Sequence, residues 1–318
     1  MTTTLTARGP EDFLAVVPVV LGFRPEDSLV MLTFGARRTF HARLDLPPPD
    51  EGAAVDELVD ALLGPSRRHR VRQVAFVVYS GDRELAARLA AALVPAFVAD
   101  GIAVLDVLRA HGGRWTIVPV RAGGHESEPA PYDDGAHPFA AQAVFEGRVT
   151  RSSREELRAT IAADPELQER WAGLLRRGRL GPAEPDAVRG LVAGWVDARA
   201  APDDEGAAKV LAGLAHVEVR DAVLGAVGRA RARDHVQVWS MLLRGAPDTS
   251  VAEVAAVTAF CAWLSGDGAL AWCALDRCFE ADPEHGLGRC LAECLTRALP
   301  PTVWDEVHED PTTWLDSA

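Results

Sequence analysis

The densest group of side chains with chemical potential is Gly22-Phe23-Arg24-Pro25-Glu26-Asp27-Ser28. Arg24 and Ser28 are the residue types that hold a phosphate or carboxylate. A guanidinium offers two parallel donors to such a group, and a hydroxyl adds another. The same residues also suit a plain turn, in which Pro25 sets φ and Asp27 or Ser28 accepts from free backbone N–H groups. The turn is the simpler account. Asp45 ends an alternating run and precedes three prolines. Beside Arg24 or Arg43 it would extend a polar pocket; the commoner role of such an aspartate is to pair with a structural arginine. Ser80-Gly81-Asp82 separates an apolar run from a helical pattern. Backbone donors there can receive an anion, although an N-cap explains the residues more economically. Arg24, Asp27, Ser28, Asp45 and Ser80 therefore form the candidate polar pocket.

Complete motifs are missing elsewhere. Gly266-Asp267-Gly268-Ala269-Leu270-Ala271 has the spacing G-x-G-x-x-A, but a dinucleotide fingerprint follows a strand, and Val257 to Leu264 reads as helix. Cys290 and Cys294 share a helical face, and Cys273, Cys278 and His285 lie close in sequence. Structural zinc favours C-x₂-C knuckles, so these read as small core residues, and no metal or cofactor is expected. His111, His125 and His137 fall in or beside loops, where His125 and His137 could meet Glu126, Asp133 or Asp134. There is no H-E-x-x-H, no G-x-S-x-G and no G-K-[ST]. Lys209 is the single lysine. It follows Asp203-Asp204-Glu205, where a solvated, protonated amine is expected.

The elements that must position these residues alternate through the first half. Helical patterns cover Pro10 to Leu21, Ala53 to Leu63 (ending at Gly64-Pro65) and Asp82 to Ala99. Strand patterns cover Leu29 to Phe34, Thr39 to Leu46, Gln73 to Tyr79, Ile102 to Leu108 and Trp115 to Val120. Gly35 to Arg38 and Gly112-Gly113 suit hairpin turns. The order α-β-β-α-β-α-β-β implies a mixed sheet with a parallel core and flanking helices. Its ligand-competent edge would be the carboxyl ends near Asp45, Ser80 and Leu108. Arg121 to Pro138 reads as a long loop. We assign an α/β domain to residues 1–146, including the loop at 121–138, and an all-α domain to 147–318.

The helical half is broken at Gly181-Pro182, Ala201-Pro202, Gly245-Ala246-Pro247, Gly266-Asp267-Gly268 and Asp282-Pro283, and it carries seven of the eight tryptophans. Gly268 to Gly286 resembles the second helix of a tetratricopeptide repeat, so the last third is expected to be repeat-like. No second copy at that period is found. A net charge of −13 disfavours nucleic acid and anionic lipid. A local exception, Arg67, Arg68, His69, Arg70 and Arg72, is expected to be a solvated loop. The apolar run Phe13 to Phe23 is short, contains Pro18 and follows acidic residues, so neither a leader nor a membrane span is expected. Five cysteines confined to the last fifth of the chain suggest reduced thiols in the cytoplasm.

Two stretches look familiar together: PVVLGFRPEDSLV (18–30) with ARLDLP (42–47), and AWLSGDGALAWCALDRCFEADP (262–283) with Pro300-Pro301 and Trp304. The chain resembles a family of actinobacterial proteins known only as a domain of unknown function, and L-G-F-x-P-x-x-S-L-V is the most specific part. The abundance of alanine and arginine, and the absence of asparagine, suit a high-GC genome. The resemblance implies no activity, substrate or cofactor. From the residues, the leading expectation is a cytoplasmic binding or scaffold protein. Its helical half would present a surface to a protein partner or a second copy, and a small anionic ligand would sit in the α/β half. The alternative is a hydrolase or transferase at the carboxyl edge of the sheet, with a carboxylate as base and Arg24 holding an oxyanion.

Overall fold

The structure, a computed structural model, describes residues 7, 9–36, 40–48, 52–119, 124–145, 149–178 and 183–305. The chain divides into two compact units, Met1–Arg154 and Glu155–Ala318.

The first unit opens with α1 (Pro10–Leu21). Pro10 stands in the first turn, where no N–H is needed, and Glu11 and Asp12 complement the helix dipole. Gly22 closes the helix at φ 77°, its N–H bonding Pro18 O at 2.9 Å. The strands are β1 (Ser28–Phe34), β2 (His41–Asp45), β3 (Gln73–Tyr79), β4 (Ala103–His111), β5 (Arg114–Ile117) and β6 (Ala130–Pro131). They form one sheet in the order β2-β1-β3-β4-β5-β6. The sheet is mixed, as the sequence suggests. Its parallel part is the single pair β3–β4, because β1 lies antiparallel to both β2 and β3. Residues 28–33 of β1 are buried, so this largely apolar strand takes an interior place, between β2 and β3. The crossover through α2 (Gly52–Arg68) therefore passes over β1 before β3 forms.

Alternation divides the two faces. Leu29, Met31, Phe76, Val78 and Val107 pack with α2 and α3 (Arg83–Ala99). Val30, Leu32, Ala75, Val77, Tyr79 and Leu108 pack with residues of α1, and Phe139 of α4 (Pro138–Phe145) adds to that face. The sheet is thus covered on both sides, the three-layer arrangement that buries its two apolar faces.

Several boundaries differ from the pattern-based reading. α2 continues through Gly64-Pro65 to Arg68. Pro65 costs the helix a bond to the Ala61 carbonyl, but Ala61 is exposed, so water can satisfy that group. Arg67 and Arg68 consequently end a helix instead of lying in a loop, and Arg67 pairs with Asp100. β4 runs three residues beyond Leu108. Gly112 and Gly113, at φ 57° and 71°, form the turn into β5 that L side chains would strain. The stretch read as a loop supplies β6, which pairs with β5. Residues 37–39 of the first hairpin link and the Gly181-Pro182 break lie outside the described residues.

The second unit contains no strand among the described residues. α5 (Arg154–Ala159) leads into α6 (Pro165–Arg177), α7 (Pro185–Ala198), α8 (Asp204–Gly213), α9 (Val217–Gly225), α10 (Ala232–Gly245), α11 (Val251–Leu264), α12 (Gly268–Ala281) and α13 (Gly286–Thr296). Asp164, Asp203 and Asp267 cap α6, α8 and α12 by accepting from the backbone N–H groups of Leu167, Gly206 and Leu270. Asp203, Asp204 and Glu205 are therefore a cap and first turn, with Lys209 inside α8. Residues 254–264 of α11 are buried without interruption, as in a helix surrounded by others. Tryptophans tie the unit together: Trp171 donates to Asp204 at 2.9 Å, Trp263 to Leu299 O at 3.0 Å and Trp304 to Val227 O at 3.2 Å.

Gly245 makes this packing tight. A β-carbon there would lie 2.3 Å from Cζ3 of buried Trp171. Gly245→Ala is expected to destabilise the helical unit by about 1–3 kcal/mol, the usual cost of overpacking. Denaturant unfolding monitored by tryptophan fluorescence reads this directly, and an unchanged midpoint would refute the tight fit.

Candidate functional site at the carboxyl edge of the sheet

Register brings the predicted residues to one edge. Ser28 pairs with Asp45 on one side and with Tyr79 on the other. Tyr79 pairs with Ala110, and Ala110 with Trp115. The candidates nevertheless form three groups.

The first group joins Ser28 to Asp45 through Arg43. The fully buried Ser28 hydroxyl donates to Glu26 O and accepts from Arg43 Nε at 2.8 Å. Arg43 Nη2 reaches Asp45 Oδ1 at 2.7 Å, and Arg154 Nη1 lies 3.7 Å from Asp45 Oδ2. Asp27 contributes backbone: it sits at φ 42°, and its carbonyl accepts from Leu46 N at 3.1 Å. Aspartate tolerates that region better than most residues.

The second group is Arg24 with Asp134. Arg24 Nε bonds both carboxylate oxygens, at 3.1 and 2.8 Å. The chain around it is held by Arg24 N to Arg151 O at 3.0 Å and Arg151 N to Gly22 O at 2.8 Å.

The third group surrounds Ser80. Its hydroxyl accepts from Asp82 N at 3.0 Å, while Asp82 Oδ1 accepts from Leu85 N at 3.0 Å and caps α3. The Ser80 carbonyl accepts from Arg109 Nη1 at 3.3 Å. Buried Arg109 then grips Glu126 through Nε and Nη2, both at 2.9 Å. Its hydrogen bonds hold the Glu126 carboxyl below its ordinary pKa against the opposing effect of burial.

Two groups escaped the sequence reading. Tyr79 Oη and Trp115 Nε1 are buried with no hydrogen-bond partner. Burial pushes the Tyr79 phenol well above its ordinary pKa, with Tyr132 and Asp134 close enough to add to the effect. The group is therefore a hydroxyl at any physiological pH. A tyrosine ending an otherwise aliphatic strand was the available signal. Arg109 was similarly visible as a cation inside an apolar run, although nothing in the loop pattern marked Glu126 as its partner. His137 pairs with Asp12 at 3.1 Å, not with Glu126, Asp133 or Asp134.

In the helical unit, the G-x-G-x-x-A stretch is the turn between α11 and α12, with Gly266 at φ 84° and Asp267 as cap. His285 caps α13 by accepting from Gly288 N at 3.2 Å, and its Nε2 lies 3.3 Å from Glu253 Oε1. Among the described residues, no group of three or more His, Cys, Asp or Glu is arranged to hold a metal ion. None of the described helices is long and apolar enough to cross a membrane.

Residues 10–302 match the family described as Domain of unknown function (DUF4192). The chain belongs to this family. The match takes in both units, so the edge groups and the helical packing are parts of one family domain. No curated protein and no solved structure matches the chain.

Two groups of the α/β unit, His41 at the start of β2 and Glu126 at the edge, should make the fold acid-sensitive. Enclosure of His41 Nδ1, without a partner, lowers the imidazole pKa to about 4. An unfolded histidine titrates near 6.5, so the unfolded chain binds the proton first and His41 stability is lost as pH falls from about 6.5 to 4. The loss is at most about 3 kcal/mol, and less because the residue is partly exposed. Glu126 acts in the same direction at lower pH: its depressed pKa gives stability that is present above the ordinary carboxylate value and lost below it. Denaturant unfolding between pH 7 and 4 should show a falling free energy, with a flatter profile for His41→Gln; a level wild-type profile contradicts this. Glu126→Gln, which leaves the Arg109 charge buried, should cost about 3 kcal/mol at pH 7.

Proposed function

We propose that the chain is a cytoplasmic binding protein of actinobacterial origin. Its α/β unit takes a small anionic ligand at the carboxyl edge of the sheet, and its helical unit presents a surface to a protein partner or a second copy. The observation that carries the ligand reading is the buried, unpartnered Tyr79 hydroxyl near the Arg24–Asp134 pair. A buried donor without an acceptor costs about 1–3 kcal/mol. A ligand oxygen would remove that cost. Arg24, with a half-exposed side chain, would exchange Asp134 for the ligand and supply the charge. Trp115 Nε1 offers a second unmatched donor on the same face of the sheet.

Binding is favoured over turnover by the state of Ser28. Its proton is directed at the Glu26 carbonyl, and Arg43 stands between its oxygen and Asp45. A hydrolase or transferase would need a base at that hydroxyl. The partner surface has its best support in an open hollow of about 710 Å³ between α6 and α8, where Arg170, Arg176 and Arg177 face Asp203, Asp204 and Glu205. Such a mixed-charge lining suits a polar protein surface. The cytoplasmic setting is supported by five cysteines, none in a disulfide.

Titration with inorganic phosphate and with acetate, followed by calorimetry and by thermal shift, tests the ligand site. At least one anion should bind and stabilise the wild type. Arg24→Ala should abolish the effect, and Tyr79→Phe should weaken binding about tenfold while leaving the free protein as stable or slightly more so. A Tyr79→Phe variant that gains stability and binds unchanged makes the hydroxyl a mere packing defect and sinks the reading, as does the absence of any response to both anions.

A further inference from the structure

We propose that β2 is the docking edge for a second copy of this chain, which adds its own β2 antiparallel across a two-fold axis at Leu44. This surface lies in the α/β unit and is distinct from the helical surface proposed above. β2 ends the sheet, with β1 as its one neighbour among the described strands. The groups it leaves open can be read from the ladder. Asp27 and Leu46 continue the register of β1 with β2, and Leu46 N bonds Asp27 O at 3.1 Å. Hydrogen-bonded pairs alternate with non-hydrogen-bonded ones along an antiparallel ladder. Ala42, Leu44 and Leu46 therefore direct their backbone groups to β1, and His41, Arg43 and Asp45 direct theirs outward. No backbone hydrogen bond among the described residues takes up the outward groups of Arg43 and Asp45. Proline, lysine and bulges blunt many sheet edges, and none interrupts His41–Asp45.

An open edge does not name its occupant; the side chains do. A two-fold antiparallel pair centred on Leu44 sets Arg43 opposite Asp45 of the second copy, and Asp45 opposite its Arg43. All four residues face outward, so each pair exchanges both N–H···O bonds. Arg43 already reaches its own Asp45 at 2.7 Å, and the Asp45 side chain is 71% exposed. The second copy thus turns one ion pair into a ring of alternating charges. On the other face, Leu44 meets Leu44 and Ala42 meets Leu46. These three residues are partly buried and pack against the layer under α2, so the contact covers apolar surface that a single copy leaves in part open.

Other registers lose this match. An axis at Arg43 or at Asp45 puts like charges directly opposite, which destabilises a strand pair. An axis at Ala42 puts Arg43 against His41. With the axis at Leu44, Pro47 falls opposite His41 of the second copy and has no N–H to give, so the ladder stops there. Both copies use the same patch, and the contact closes at a dimer.

Light scattering of the full chain over a concentration series is the first measurement. The mass should rise toward twice 34.0 kDa. Asp45→Arg sets arginine opposite arginine, and Arg43→Asp sets aspartate opposite aspartate; each variant alone should remain a single copy. Mixing the two restores both opposite-charge pairs and should give a one-to-one dimer, with circular dichroism establishing that each variant is folded. Leu44→Cys gives a readout that leaves the charges in place. Facing residues of a non-hydrogen-bonded pair have Cα atoms about 4.5 Å apart, within disulfide reach. In a Cys290→Ser background, which removes the exposed native thiol, Leu44→Cys should give a disulfide-linked dimer on mild oxidation, and Ala42→Cys should not. A single-copy mass at every concentration, a dimer indifferent to both charge reversals, no association on mixing the folded variants, or cross-linking through Ala42→Cys but not Leu44→Cys would each overturn the proposal.

Discussion

The antiparallel pairing of β1 with β3 is the constraint on which the α/β unit depends. Its register runs from Ser28↔Tyr79 to Phe34↔Gln73, and the side chains of both strands are almost wholly buried. A slip of one residue would turn Leu29 and Met31 out of the layer they share with α2 and α3 and into the layer of α1. The same register aligns Asp45, Ser28, Tyr79, Ala110 and Trp115 in a single row. Core packing and edge chemistry are thus set by one alignment, and neither can be altered alone.

The edge is held by pairs of arginine and carboxylate. Arg43 meets Asp45, Arg24 meets Asp134, and Arg109 meets Glu126. A chain with one lysine has only guanidinium to use for such contacts, and the fork geometry makes them directional. The three pairs differ in depth. Arg109 is buried, so its carboxylate is needed to hold a charge away from water. Arg24 is half exposed and can trade partners at small cost. That gradient separates the scaffold part of the edge from the part able to respond to a solute.

Much of the framework was legible because it rests on local signals. Gly22, Asp82, Gly112-Gly113 and Asp267 each do what their residue types announce at an element boundary. The five candidate residues also reach the same edge, since period-2 alternation and strand ends are readable in one dimension. The rest depended on partners far away in sequence. Glu126 and Asp134 lie 17 and 110 positions from Arg109 and Arg24, in a stretch with no periodicity to betray them, and Arg154 lies 109 positions from Asp45, beyond the boundary drawn between the two domains. The place of β1 was hidden for a related reason: alternation identifies a strand but not its neighbours. Pro65 misled because its helix-breaking effect depends on whether the orphaned carbonyl meets water, which is a property of the fold.

The short strand that closes the sheet ends on Pro131. Proline has no amide hydrogen, so the outer rim at that position lacks one of the donors by which a further chain would extend the ladder. Arg114 and Trp115 are shielded in turn, because Pro131 and Ala130 already occupy their free side, and Ser127 bonds Ile117 beyond them. A two-residue cover thus acts as a guard against strand addition at this side of a sheet whose inner strands are strongly apolar.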